Sequence, residues 1–272
     1  MLFKNTIKEN SSISDEVTII IKTFERPHCL IRLMYSINHW APSVPVMIAD
    51  DSHVSSRQCI LDNFRFNVLK YIELPFDSGL SAGRNELLKH VRTKYFLLCD
   101  DDFIFDGRTR LGEMLRLLRH HDVDLLGGEC FDVAPLEWPI IKERFHHLHL
   151  SWLARLPDRW HGRPRKFSGK FETGDDGRVL MVNCSEKKVF FRCDYVVNFF
   201  MARTEVVQGL GGWNPALKLG EHEDFFLHCK QSGVRIGCAP GIGVRHIHSS
   251  PPGYMLWRQR ALNMQPKRFS GN

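Results

Sequence analysis

Four apolar runs of strand length, with stretches of helical periodicity after the first and the third, constrain the fold of this chain more than any other feature. They are VTIIIK (17 to 22), VPVMIA (44 to 49), NVLKYIEL (67 to 74) and KYFLLC (94 to 99). Continuous apolar runs rich in β-branched residues read as strands buried on both faces. After the first, Pro27 suits the first turn of a helix, and Leu30, Leu33, Met34, Ile37 and Trp40 recur at helical spacing. Ser81 is placed to cap a helix carrying Leu87, Leu88 and Val91, and Leu111, Met114, Leu115 and Leu118 mark another before VDLLGG (123 to 128). This alternation predicts a single α/β domain whose mostly parallel sheet is flanked by helices, as in Rossmann-like folds. In such sheets ligands bind beyond the carboxyl ends of the strands.

The pattern loosens after residue 130. Residues 131 to 177 read as a long irregular connection with a short helix around 140 to 155. Strands are expected again in RVLMVN and KVFFRCDYVVNFFMAR, then a short helix from Thr204, a glycine turn, and a helix over 221 to 231. VRIGC and GVRHIH read as two closing strands. Residues 1 to 16 read as a flexible lead-in, 17 to 250 as the domain, and 251 to 272 as a polar tail.

Composition narrows the partners. The net charge of +6 is mildly basic and its residues are scattered, apart from Arg155, Arg159, Arg163, Arg165 and Lys166. That suits an anionic small molecule and gives no nucleic-acid footprint. Eight cysteines form no C-x-x-C pair, which argues against a zinc knuckle. No apolar stretch approaches the roughly 20 residues that span a bilayer, and the first residues lack a signal-peptide core. A chain that is cytoplasmic or peripheral to a membrane is expected.

The strongest chemical signal is LLCDDDF. Three adjacent carboxylates at the end of an apolar strand repel one another and are costly to desolvate, and a divalent cation such as Mn²⁺ or Mg²⁺ would relieve that cost. Alternation along an extended chain lets Asp100 and Asp102 face one ligand while Asp101 points away. Against this stands a solvated acidic turn, which an isolated DDD would more often be; a second cluster on the same edge, Asp50-Asp51-Ser52, tips the balance to a metal site. Taken alone, that second cluster reads equally as a turn. In SAGRNELL, Gly83 and Arg84 at a helix start suit an anionic ligand, or mark close packing. In GEHEDFFLHC, Glu221, Asp224 and His228 share a helix face, and a carboxylate there would serve as a base; acids at a helix start also simply complement the dipole. His246 and His248 alternate onto one strand face, where an imidazole completes a metal shell or merely packs. His146, His147 and His149 read as loop or acceptor-site residues.

These residues together resemble the GT-A glycosyltransferases of family 2 type, and most closely the β-1,4-N-acetylgalactosaminyltransferases. The resemblance runs through VTIIIKTFERPHCL, VMIADDS, AGRN, TKYFLLCDDDFIF, DLLGGE, VVNFFMART and HEDFF, most of residues 17 to 250. It implies a GT-A domain with a nucleotide-binding half over 17 to 130 and an acceptor-binding half over 131 to 250. It implies a UDP-sugar donor, a glycan or glycolipid acceptor, and metal-assisted inverting transfer of N-acetylgalactosamine or a related hexose, with GGWNP and residues 131 to 177 shaping the acceptor site and Trp213 stacking on a sugar face. Carried over by motif, Thr23 and Arg26 line the nucleotide pocket, Asp50 or Asp51 meets the uracil, and Arg84 contacts the nucleotide or diphosphate. Asp100 approaches the ribose with Asp101 beside it, Asp102 and His246 hold the metal, and Asp224 is the catalytic base. The animal relatives are Golgi membrane enzymes, so a luminal location follows if this chain is part of a longer anchored protein. Two features depart from the ganglioside-type enzymes: the Glu223-Asp224 pair, where those have a glutamate with no acid before it, and the composition of 131 to 177. A sugar nucleotidyltransferase is the rival enzyme, but the glycine-rich triphosphate loop it needs after the first strand is missing. A non-catalytic nucleotide-sugar-binding module is the other rival, and retention of both acidic motifs argues against it.

Overall fold

The structure, a computed structural model, describes residues 13–63, 65–133, 163–165, 167–174, 179–184, 188–249 and 251–264. The four apolar runs form β1 (Val17–Thr23), β2 (Val46–Asp50), β3 (Val68–Glu73) and β4 (Tyr95–Asp100). They lie side by side in the order β3, β2, β1, β4, with every neighbouring pair parallel. Parallel neighbours require crossovers. These are α1 (Pro27–Trp40), α2 (Arg57–Leu61) and α3 (Leu80–His90). Pro27 opens α1 as expected, and Leu30, Leu33, Met34 and Ile37 form its buried face.

Strand alternation sorts the core into two layers. Ile19 and Ile21 of β1 pack with α1 and with α4 (Leu111–His120), while Ile20 faces Leu87 and Leu88 of α3 on the other side. The lead-in joins the first layer at Ile13, which is 2% exposed. The sheet extends beyond β4 through β11 (Phe200–Arg203), β6 (Leu125–Val133) and β12 (Ile236–Ile247) to β10 (Phe191–Cys193). β6 and β12 are parallel to each other, and β11 is inserted antiparallel between β4 and β6. Short strands β5 (Phe103–Ile104) and β7 (Arg163–Arg165) pair antiparallel with β12 and β6. β8 (Gly169–Thr173) and β9 (Val179–Asn183) form a separate antiparallel pair. α5 (Thr204–Gly209), α6 (Glu221–Gln231) and α7 (Pro252–Met264) complete the described elements.

Four expectations need correction. KVFFRCDYVVNFFMAR is not one strand: Asp194 breaks it, its carboxylate accepting from the Phe171 amide at 2.9 Å and from Lys230 Nζ at 2.7 Å. VRIGC and GVRHIH are instead one strand, β12, carried through Ala-Pro-Gly by a register shift between Cys238 and Gly243. A bulge absorbs turn residues without ending a strand. Gly79, not Ser81, precedes α3, and Ser81 is buried inside the first turn. The polar tail contains α7. The helix expected around 140 to 155 and the histidines at 146, 147 and 149 lie outside the described residues.

Cys99, Cys193 and Cys238 are buried free thiols, as their apolar runs imply, and burial pushes the Cys238 thiol up to about 12. Among the described residues no helix is long and apolar enough to cross a membrane.

Gly127 in β6 marks the tightest approach of the sheet to the chain after β10. A Cβ there would lie 2.4 Å from the Cβ of Val196, which is fully buried. Gly127→Ala is expected to cost about 1–3 kcal/mol by overpacking. Denaturant unfolding should show that loss as a lower midpoint with the slope unchanged.

Candidate active site

The parallel registers bring the acidic motifs to one edge. Thr23 at the end of β1 stands opposite Asp50 of β2, and Lys22 stands opposite Asp100 of β4. Each carboxylate there has a distinct set of partners. Asp50 turns away from the edge: it accepts from the amides of Ser52 (2.9 Å) and Ser56 (3.1 Å) and from the Tyr71 hydroxyl (2.6 Å). Asp51 is buried, accepts from the Gly79 amide at 2.8 Å, and pairs with Lys22. Burial lowers the Lys22 pKa, with Asp51 opposing.

The Asp100-Asp101-Asp102 run divides more sharply. Asp101 is 1% exposed; it accepts from Thr23 Oγ1 at 2.7 Å and pairs with Arg26. Burial pushes its carboxyl up to about 6, against the pull of Arg26. Asp100 keeps a side chain 30% exposed, held by Arg84 Nη2 at 3.0 Å and Asn198 Nδ2 at 3.1 Å. Asp102 lies between Arg26 Nη1 at 2.7 Å and His246 Nε2 at 3.3 Å, both from its Oδ2. Burial opposes its charge, but the hydrogen bond to His246 and the Arg26 guanidinium outweigh burial and hold its pKa below the ordinary value. His246 is shifted up: burial disfavours its charge, and Asp102 and then Asp132 more than offset it.

Asp102 and His246 fit a hard divalent cation. Two ligands about 2.1 Å from one ion on adjacent octahedral corners stand about 3.0 Å apart, close to the observed separation. The positive charge beside Asp102 is supplied here by Arg26, which also stacks its guanidinium 4.4 Å from the centre of the Tyr254 ring.

His246 reaches this place through the fold. It pairs with Phe103 of β5, one residue past Asp102, and the Ile247 amide donates to the Asp102 carbonyl at 3.1 Å. A polar clamp below holds β12 in register. Asp106 accepts from the Arg108 amide (2.8 Å) and guanidinium (2.7 Å) and from Arg245 Nε (2.6 Å), while Thr109 donates to the Gly243 carbonyl at 2.8 Å.

Beside the carboxylates lies a cavity of about 60 Å³ lined by Lys22, Phe24, Arg26, Asp51, Gly79, Tyr254 and Trp257, among others. α7 closes it: Trp257 meets Phe76 edge-on at 4.9 Å, and Phe76 lies 5.6 Å from Phe24.

The glycosyl transferase family 2 profile matches residues 18–185. The chain belongs to that family. It is 30% identical over 240 residues to beta-1,4 N-acetylgalactosaminyltransferase 2 of Mus musculus, a match covering 88% of this chain and 41% of the relative. To beta-1,4 N-acetylgalactosaminyltransferase 1 of Homo sapiens it is 32% identical over 246 residues, 86% of this chain and 39% of the relative. It therefore spans about two fifths of the length of these curated relatives. The fold is GT-A. The structure of GalNAc-T7 with UDP, GalNAc and Mn²⁺ superimposes with a TM-score of 0.60 at 14% identity, over 90% of this chain and 47% of that one. S. aureus TarS 1-349 in complex with UDP-GlcNAc gives 0.59 at 14% identity, over 88% and 60%.

Arg84, Glu221 and Trp213 are buried among partners that the sequence does not announce. Arg84 is buried beneath Asp100, its Nη1 2.6 Å from Glu221 and its guanidinium 5.6 Å from the Trp213 ring. Glu221 is 3% exposed and turned into Arg84, away from His228, which is exposed. Asp224 occupies the first turn of α6, half-buried. Trp213 does not offer a sugar-stacking face: it is 1% exposed and stacked on Phe225 at 4.7 Å. Gly83 is a close-packing position, since a Cβ there would meet Lys22 Cγ at 2.5 Å. Sequence reasoning missed Lys22, Asn198, Tyr254 and Trp257. A lysine ending an otherwise apolar run was the available signal for Lys22, and Pro252 with aromatics three apart was the signal for α7.

The clamp has a pH signature. Burial raises the Asp106 pKa, but Arg108 and Arg245 outweigh it and the net shift is downward. Its contribution to stability is therefore complete above the unfolded carboxylate value of about 3.9 and is lost as pH falls through the lower folded value. Asp106→Asn should lose about 1–3 kcal/mol at pH 7. Urea unfolding at pH 7 and pH 3 should show the gap to wild type shrinking in acid.

Proposed function

We propose that this chain transfers a sugar, N-acetylgalactosamine or a related hexose, from UDP to a hydroxyl of a glycan or glycolipid, with inversion. The reading rests above all on the Asp102–His246 pair beside an aromatic-lined cavity, in a chain of glycosyl transferase family 2. In it the nucleotide enters the cavity, with Asp51 and Thr23 on the base side and Asp100, the most exposed of the three aspartates, toward the ribose. Asp101 acts from beneath by fixing Arg26. Arg84 acts by holding Asp100 in place. The cavity is narrow, so seating a nucleotide requires α7 to give way, and Tyr254 and Trp257 then supply the aromatic faces.

Asp102 and His246 would hold Mn²⁺ or Mg²⁺. A cation there supplies Lewis-acid stabilisation of the charge that develops on the departing diphosphate. The protein's own residues do the rest. Asp224 takes the proton of the acceptor hydroxyl, whose oxygen forms the new bond to the anomeric carbon. The bond from that carbon to the β-phosphate oxygen breaks, and UDP leaves with the electron pair.

A thermal-shift screen of nucleotide sugars with and without Mn²⁺ should single out a UDP-sugar whose stabilisation requires the metal. Turnover with that donor should stop on chelation and in Asp102→Ala. Asp224→Asn should lose about 10²–10⁴ in kcat while still binding UDP. Pyrophosphate among the products, or UDP-sugar turnover that survives both chelation and Asp102→Ala, would refute the proposal. Trp257→Ala should weaken UDP binding by about tenfold, the loss expected for an aromatic face worth ~1.4 kcal/mol.

A further inference from the structure

The His246 ring has two nitrogens, and the fold gives each a different carboxylate. Nε2 lies 3.3 Å from Asp102 Oδ2, while Nδ1 lies 2.6 Å from Asp132 Oδ1. The second contact is dictated by the sheet. Asp132, near the end of β6, is the parallel register partner of His246 in β12, and Phe103 packs edge-on against the ring from β5 at 5.6 Å. Cys130, Asp132 and His246 cluster closely enough to be taken for a metal site of their own. The 2.6 Å contact argues otherwise. Asp132 and His246 have spent their facing atoms on each other, leaving Nε2 as the ring atom aimed at Asp102.

We propose that Asp132 is a positioning residue: its carboxylate accepts the Nδ1 proton of His246, fixes the ring plane, and so presents the Nε2 lone pair to a cation shared with Asp102. A ligating histidine whose other nitrogen donates to a carboxylate is held in one tautomer and made more basic, and loss of that partner typically costs about 10–100-fold in metal affinity. His248 is 59% exposed at the rim, with its Nε2 3.4 Å from the same Asp132 oxygen and its ring 4.0 Å from that of His246. The proposal rests on the reading of Asp102 and His246 as metal ligands.

Mn²⁺ affinity of the purified chain, titrated by electron paramagnetic resonance with saturating UDP, tests both levels. Wild type should bind, His246→Ala should lose binding, Asp132→Asn should weaken it about tenfold and Asp132→Ala up to about a hundredfold. Asp132→Glu should recover part of the loss. The visible spectrum of the Co²⁺-loaded protein should change in Asp132→Asn, a readout that a purely structural role would leave alone. Should Asp132→Ala fail to fold, the Asn and Glu variants and the Co²⁺ spectrum carry the test. Wild-type affinity and an unchanged Co²⁺ spectrum in Asp132→Asn, with His246→Ala defective, would overturn the role of Asp132 alone. Failure of wild type to bind Mn²⁺ with UDP present would overturn the metal reading and this proposal with it.

Discussion

Carboxylates crowded at the ends of parallel strands leave water only when each is met by hydrogen-bond donors or a positive partner, and most of the active edge follows from that requirement. Asp51 is matched by Lys22, Asp101 by Arg26, Asp102 by Arg26 and His246, and Glu221 by Arg84, which also reaches Asp100. A buried ion pair gains little over an apolar contact, yet losing one partner leaves an uncompensated charge and is severe. These pairs therefore act as alignment constraints. Arg26 ties the turn after β1 to the end of β4, and Arg84 ties α3 to α6 and β4 at once. The strand ends are locked to one another by charge as well as by backbone pairing.

The same requirement explains why the second half of the chain must return to the first. His246 follows Asp102 by 144 positions, yet β12 delivers it by pairing with β5 immediately after the aspartate run. The bulge between Cys238 and Gly243 lets one strand serve two ends while running beside β6 throughout: its first part pairs with β10, and its last part pairs with β5 and carries the imidazole to the active edge. Asp106, Thr109 and Arg245 fix that crossing from below.

The first half of the chain was legible because its signals were local. Apolar runs bounded by aspartates, Pro27 at a helix start and an i, i+3, i+4 face each fit inside a short window, and β1 to β4 with α1, α3 and α4 follow them within a few residues. The later half was less legible because its decisive interactions are distant. Nothing near Asp194 announces that it will cap Phe171 and bind Lys230, and a Pro-Gly step ordinarily ends a strand, as VRIGC and GVRHIH suggested. Trp213 failed for the same reason. An aromatic in a glycine-rich segment reads as exposed, and only the tertiary structure supplies Phe225 and Phe96 to bury it.

Partner saturation also separates carboxylates that hold the site from those available to a ligand, a distinction the motif itself cannot draw. Asp50 accepts three hydrogen bonds from its own loop and Tyr71, which makes it a turn-forming residue despite its place in IADDS. Asp101 is enclosed by Thr23 and Arg26, and burial disfavours its charge. Asp100 retains an exposed flank, and Asp102 shares one oxygen between the Arg26 guanidinium and the His246 imidazole. Three chemically identical neighbours thus diverge where β4 ends: Asp100 closes the strand with a flank exposed, while Asp101 and Asp102 lie in the turn to β5 and are buried against different partners.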